Sequence, residues 1–273
     1  MYVRLARLLP CLVLCSAIFT TLSLSGQSSV RTLTFIPSHP TEVIGRIDPA
    51  AMQEITAHRS KVAGSAQWTG LQGTGRIQYG SDPTTYDATL VISGRTKFRL
   101  DAQAANGSIS IRINGRIGKI QEADGRVFPL PPDTATTGLL QFELPRMEGF
   151  PEQAFCSLID RGGVAIDGEP FHQVTYEMAD HKAADGKSVK TIPTELFFDP
   201  TTHLLVKSLN MIRLDGAGPN EFQRVITYED YRQVGDSLIP FRFTQTLNGQ
   251  KQWTLQLSDV QLNPGTQSNY FQF

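Results

Sequence analysis

Apolar and polar residues alternate along most of this chain. Lys97-Phe98-Arg99-Leu100-Asp101 and Ser108-Ile109-Ser110-Ile111-Arg112-Ile113 switch character at every position. Nearer the C-terminus, Ile239, Phe241 and Phe243 share one parity. Trp253, Leu255 and Leu257 do the same, with Gln252, Thr254, Gln256 and Ser258 between and beside them. A period of two means a strand with one apolar face and one wet face. The same pattern predicts further strands over 68–79, 86–93, 116–122, 170–178, 190–198, 204–213 and 222–231, so about ten strands follow one another.

Turn chemistry punctuates them. Asn-Gly stands at 106, 114 and 248, and Asp-Gly at 124, 167, 185 and 215. These dipeptides accept the positive φ of two-residue hairpin turns. Short hairpin connections predict an antiparallel meander rather than βαβ units. Gly73-Thr74-Gly75-Arg76 lies inside a strand pattern and lacks the following helix of a phosphate loop, so a bulge or tight bend is expected.

Two stretches break the alternation. Asp48-Pro49 opens a helix, with Asp48 as N-cap and Pro49 in the first turn. Met52, Ile55, Arg59 and Val62 would line its inner stripe, and Gly64 would end it. The second stretch, 130–160, opens on Pro131-Pro132-Asp133 and carries Leu139, Leu140, Phe142 and Leu144. It reads as a helical insert, with 151–159 as a short helix turning Phe155, Leu158 and Ile159 inward. The fold class expected is mainly β (α+β). A long meander twists and curls, and a curled sheet that does not close needs a cover over its apolar face. The leading helix and the insert are the expected cover, with an apolar cavity beneath them.

The first residues add a compartment. Arg4 and Arg7 precede an apolar run from Leu8 to about Leu24, followed by Ser25 and Gly26. A basic start, an apolar core and a small-residue exit make a secretory signal peptide over 1–26. Residues 27–47 then read as an extended lead-in, and 48–273 as one domain. Cys11 and Cys15 follow Pro10 and Leu14, not the small residue a lipid-anchor signal requires, so no lipid anchor is expected. Removing the signal leaves Cys156 alone, which excludes an intrachain disulfide framework. Lys plus Arg total 25 against 26 for Asp plus Glu, a balance that argues against nucleic acid as partner.

Chemistry-bearing clusters are scarce. Cys156 with Asp160 and His172 is the one conceivable thiol arrangement, and no local signature supports it. His172, His181 and His203 lack metal-ligand spacing. No G-x-S-x-G is present. Asp199 before Pro200 fits a turn, and Asp230 a solvated strand. Neither a catalytic residue, a metal nor a cofactor is expected. The terminal Tyr270-Phe271-Gln272-Phe273 admits an outer-membrane barrel, but most predicted loops are too short for one.

The hairpins carry a resemblance. Leu196-Phe197-Phe198-Asp199-Pro200-Thr201-Thr202-His203-Leu204-Leu205-Val206 is similar to a strand–Asp-Pro-x-Thr–strand hairpin of the bacterial outer-membrane lipoprotein-sorting proteins, the LolA/LolB-like group. Tyr228-Glu229-Asp230-Tyr231-Arg232, Val234-Gly235-Asp236 and Leu238-Ile239-Pro240-Phe241 resemble its next hairpin, and the strand Trp253–Val260 also fits. The resemblance is best over 190–262. It implies an unclosed half-barrel with helices over its mouth, a periplasmic location and binding of lipid or lipoprotein acyl chains. The residues expected to line the cavity are Phe98, Leu100, Ile109, Ile111, Leu139, Leu140, Phe142, Tyr176, Phe197, Phe241, Phe243, Trp253 and Leu255. From pattern alone they fit a filled core equally well. The other class of function open to such a fold is an envelope sensor or assembly protein with a protein partner; a hydrolase would need a polar constellation the sequence does not display.

Overall fold

The computed structural model describes residues 46–64, 69–81, 83–94, 96–105, 107–115, 117–130, 145, 156–178, 193–213, 221–265 and 268–272. One helix, α1 (Pro49–Val62), precedes the strands β1 (Gly70–Tyr79), β2 (Thr85–Ser93), β3 (Lys97–Ala104), β4 (Gly107–Asn114), β5 (Ile117–Gln121) and β6 (Val127–Leu130). After the mid-chain segment come β7 (Cys156–Ile166), β8 (Glu169–Met178), β9 (Thr194–Phe198), β10 (Leu205–Arg213), β11 (Glu221–Val234), β12 (Ser237–Leu247) and β13 (Gln250–Leu262). A 3-10 turn over Ser268–Phe271 follows.

All thirteen strands form one antiparallel sheet in the order β6-β5-β4-β3-β2-β1-β13-β12-β11-β10-β9-β8-β7. Each neighbour is the next strand in sequence except at the centre, where β1 pairs with β13. Among the described residues the two ends, β6 and β7, are not paired with each other, so the sheet is unclosed. A transmembrane barrel requires a closed ring of strands, which the described strands do not form. No helix among the described residues is long and apolar enough to cross a membrane.

Turn residues set the registers. Asp167 and Gly168 sit at φ 53° and 87° between Ile166 and its partner Glu169. Asn248 and Gly249 sit at 48° and 78° between Leu247 and Gln250. Both are two-residue hairpins with positive φ at each central residue. The expected irregularity at Gly75 is a register shift between Thr74 and Gly75 against β13. A Cβ there would lie 2.1 Å from the Gln256 carbonyl oxygen, so glycine lets the two central strands close up.

The mid-chain reading needs two corrections. Strand β6 occupies 127–130, where the insert was expected to begin, and β7 occupies 156–166, where 151–159 was expected to be helical. Leu158 and Ile159 are strand residues paired with Tyr176 and Thr175. The Asp167-Gly168 turn folds β7 back on β8, and this pairing overrides the helix-like local pattern. Cys156 begins β7. Leu139, Leu140 and Phe142 lie outside the described residues, as does the segment 1–26 expected to be a signal peptide.

The helix also differs in detail. Its buried residues are Ala51, Glu54, Ile55, His58 and Val62; Met52 and Arg59 lie at the margins. Asp48 makes no side-chain cap. Its carboxylate accepts instead from Arg46 Nε (2.8 Å) and from the Asp160 backbone N–H (3.1 Å). Arg46 O accepts from Leu158 N, and Asp48 N donates to Leu158 O, so Ile47 lies as a short parallel bridge on the outer edge of β7. The helix is therefore launched from that edge and packs on β7 and β12.

Candidate functional site: the inner face of the half-barrel

Strand parity separates two faces. The inner face carries the main apolar cluster. Its floor includes Leu90, Phe98, Leu100, Ile111, Phe243 and Leu255, and Ala51 and Ile55 of α1 pack against it. Each row crosses the sheet: Tyr228 pairs with Phe243, Phe243 with Leu255, Leu255 with Ile77, and Ile77 with Tyr86. The Tyr228 and Phe243 rings meet edge to face at 6.0 Å.

Of the thirteen positions expected to line a cavity, Phe98, Leu100, Ile111, Tyr176, Phe241, Phe243, Trp253 and Leu255 all belong to this inner cluster, and half-buried Ile109 packs against it. Phe197 does not. It lies on the opposite face, in a second cluster with Ile166, Phe171 and Leu209. Its neighbours Leu196 and Phe198 take the inward positions. Three apolar residues in a row cannot reveal which of them points inward.

The two ends of the interior are polar. At the α1 end, buried Glu54 (5 % exposed) faces two imidazoles. Its Oε2 is 3.0 Å from His172 Nδ1, and its Oε1 is 3.0 Å from His203 Nδ1. The other nitrogen of His172 lies 2.6 Å from Asp160 Oδ1. His58, one helical turn after Glu54, is fully buried. Burial holds its imidazole below the ordinary 6.5, favouring the neutral ring. Its Nε2 lies 3.0 Å from the Pro145 carbonyl, and its Nδ1 lies 2.9 Å from the His203 carbonyl and 3.2 Å from the Leu205 backbone nitrogen, so one N–H serves one of the two carbonyls. These contacts tie α1 to β8, to the β9–β10 hairpin and to the mid-chain segment at Pro145.

Sequence reasoning did not bring Glu54, His172 and His203 together, because they are far apart in the chain. Glu54 and His58 four residues apart on a helix face were the available signal. Among the described residues no group of three or more His, Cys, Asp or Glu side chains is arranged to hold a metal ion. Asp199 caps its turn, accepting from the backbone N–H groups of Thr201 (3.0 Å) and Thr202 (2.6 Å), and these bonds hold its carboxyl below 3.8.

At the opposite end, one row runs Tyr176, Thr194, Asn210, Arg224 across β8 to β11. Arg224 Nε donates to Asn210 Oδ1 at 3.0 Å, and Ser208 Oγ meets Tyr228 OH at 3.0 Å. Burial draws the Arg224 guanidinium down to about 10, so it is still a cation at neutral pH.

The outer face is wet over β1 to β5. A groove of about 690 Å³ lies there, lined by residues such as Thr74, Arg76, Asp87, Asp101, Gln103 and Ser258. This lining suits solvent, not an acyl chain. The aromatic C-terminus packs on the same face: the Arg99 guanidinium stacks 4.2 Å from the Tyr270 ring and donates to its carbonyl at 3.0 Å, while Arg112 donates to the Gln272 carbonyl. Phe271 is buried there.

The sequence matches no protein-family profile. It matches no curated protein sequence either. Solved structures do match. A DUF1329 family protein from Desulfovibrio piger superposes with a TM-score of 0.51 at 9% identity, over 81% of this chain and 95% of that one. A putative outer membrane lipoprotein-sorting protein domain from Vibrio parahaemolyticus gives 0.49 at 13% identity, over 82% and 95%. A LolA superfamily protein from Nitrosomonas europaea gives 0.48 at 12% identity, over 82% and 97%. At 9% identity the match to the Desulfovibrio piger structure is a likeness of fold alone.

Proposed function

We propose that this chain is an exported, periplasmic binding and carrier module that holds acyl chains, of a lipid or of a lipoprotein, against the inner face of its half-barrel. One observation supports this reading: the apolar floor is continuous across an unclosed sheet, which offers a chain-like ligand a long apolar row to pack along. Burying an acyl chain contributes about 0.8 kcal/mol per methylene, so affinity needs no polar chemistry along the floor. The signal-like N-terminus supports an envelope location. The reading is of binding, not catalysis. Displacement of a fluorescent fatty-acid probe tests it: saturable uptake by the folded chain, reversed by unlabelled fatty acid, is expected. A probe that never leaves bulk solvent contradicts it.

A second reading, an envelope sensor or assembly protein, is favoured by one feature. The outer edge of β7 already accepts a short parallel bridge at Ile47, so this edge is competent for strand addition by another chain. A cysteine at Val164, farther along that edge, would cross-link a protein partner without lipid if this reading is right.

A further inference from the structure

The outer face of the sheet changes character at its β5–β6 edge. Over β1 to β3 that face carries groups such as Arg76, Asp87 and Gln103. At the edge it exposes aliphatic side chains: Ile117 is 71% exposed and Val127 45%. Among the described residues one other large hydrophobic side chain is exposed, Ile47 at 38%. Along β5, Ile117, Lys119 and Gln121 point outward, while Gly118 and Ile120 are buried on the inner side. Val127 pairs with Gln121, and exposed Pro129 pairs with Lys119, so these residues share the outer face. A lone exposed aliphatic residue is ordinary, but a group of them among charges marks an interaction surface.

Cations stand in the same rows. Arg99, Arg112, Lys119 and Pro129 are successive register partners across β3 to β6. The adjoining row runs Lys97, Asn114, Ile117, and the one on the other side runs Asp101, Ser110, Gln121, Val127. Register partners on one face have Cβ atoms about 4.5–5.5 Å apart, so the three rows make one patch. Its described side chains hold four cations and one acid, Asp101, which pairs with Arg99 at 2.6 Å. The Tyr270–Gln272 segment covers part of Arg99 and Arg112 through its carbonyls, and Lys97 and Lys119 flank it. Beyond Val127, Glu122 and Asp124 both pair with Arg126, at 2.6 and 2.7 Å, so the acids of that turn are met locally. The patch is therefore positive on a chain whose formal net charge is −1.

The geometry points to the outer face of β3 to β6 as a docking surface for an anionic lipid bilayer. Its cations meet the headgroups, and Ile117 and Val127 enter the boundary between headgroups and acyl chains. Charge complementarity selects this occupant over a second copy of the chain, which would bring the same cations to a shared interface and repel. The inference goes beyond the acyl-binding reading and does not depend on it, because that reading uses the inner face and this one the outer. Together they would let the module touch a membrane with one side and hold an acyl chain on the other.

The test is co-sedimentation of the chain without residues 1–26 with vesicles of phosphatidylglycerol or of phosphatidylcholine. The wild-type protein should bind the anionic vesicles at least about tenfold more tightly, and about 0.5 M salt should abolish the difference. Lys119→Gln should weaken binding to phosphatidylglycerol about fivefold. Ile117→Ser, at an exposed position where the fold is not at stake, should weaken it about three- to tenfold and leave fatty-acid probe uptake unchanged. Arg76→Gln, an exposed cation on the same face but outside the patch, should change it less than about twofold. Equal affinity for the two vesicles, or binding to neither, overturns the docking surface and leaves the acyl-binding reading standing. Anionic binding that survives Lys119→Gln and Ile117→Ser overturns its assignment to this patch. A dimer in solution that Ile117→Ser dissolves would give the face to a second copy and overturn the bilayer as its occupant.

Discussion

Strands β2 to β5 and strands β8 to β10 are arms of one sheet, yet they are buried differently. Along β3 the outward residues Lys97, Arg99, Asp101 and Gln103 stay partly or fully in solvent, and the inward Phe98, Leu100 and Ala102 are buried. In β9 all five residues are buried. The outward side of that arm carries its own apolar cluster, with the Lys207 ammonium 4.8 Å from the Phe171 ring. It also carries a polar network in which Gln173 Nε2 and Thr175 Oγ1 both donate to Glu195. The first arm is a one-sided sheet. The second is packed on both faces, so its inner face can hold polar groups such as Thr194 and Asn210 without being the arm's only source of stability.

This contrast can be broken by truncation. Phe198→Ala removes an inward ring and should cost about 3–5 kcal/mol in urea unfolding. Phe197→Ala, one residue away and on the other face, should cost a similar amount if the outer cluster is a true core. In the one-sided arm the corresponding pair should diverge: Leu100→Ala costs about 2–5 kcal/mol, and Gln103→Ala stays within about 0.5 kcal/mol. A Phe197→Ala cost as small as that of Gln103→Ala would make both arms one-sided.

The α1 end supplies the next effects. Glu54→Gln keeps the side chain's size and removes the carboxylate between His172 and His203. A loss of about 1.5–3 kcal/mol is expected, the range for hydrogen bonds to charged groups. A smaller effect belongs to His58. Its folded-state pKa lies below the ordinary 6.5, so below that pH the unfolded chain binds a proton more readily than the folded one. Its contribution is complete above 6.5 and declines as pH falls from there toward the folded value. Unfolding of the wild type and of His58→Gln, compared between pH 7.5 and 5, should show the wild type losing more stability on acidification. Parallel curves would assign the acid sensitivity elsewhere. Least of all should come from Arg76→Ala in the one-sided arm, where the ion pair with Asp87 spans 3.7 Å and both side chains are largely exposed; a change within about 0.5 kcal/mol is expected.

The same contrast explains what could be read in advance. The one-sided arm was legible because period-two alternation and Asn-Gly turns are local, and there local pattern and burial agree. Phe98, Leu100 and Ile111 were placed on the inner face for that reason. In the two-sided arm alternation disappears, so Phe197 was assigned to the wrong face. Strand β7 was hidden because its identity depends on pairing with β8, a contact made across a turn and not written in its own residues. Nothing in the local pattern singled out Arg224, Glu54 or His58 as buried. Each is explained only by a partner distant in sequence: Asn210, His172 and His203, or Pro145 and Leu205.

The central claim is that the apolar floor of the half-barrel holds an acyl chain. Native mass spectrometry of the protein, purified without detergent, tests it most directly. The account predicts a population heavier than the bare chain by the mass of an acyl-bearing molecule, which organic extraction removes. A single species at the bare mass, unchanged after incubation with excess dodecanoate, would contradict it.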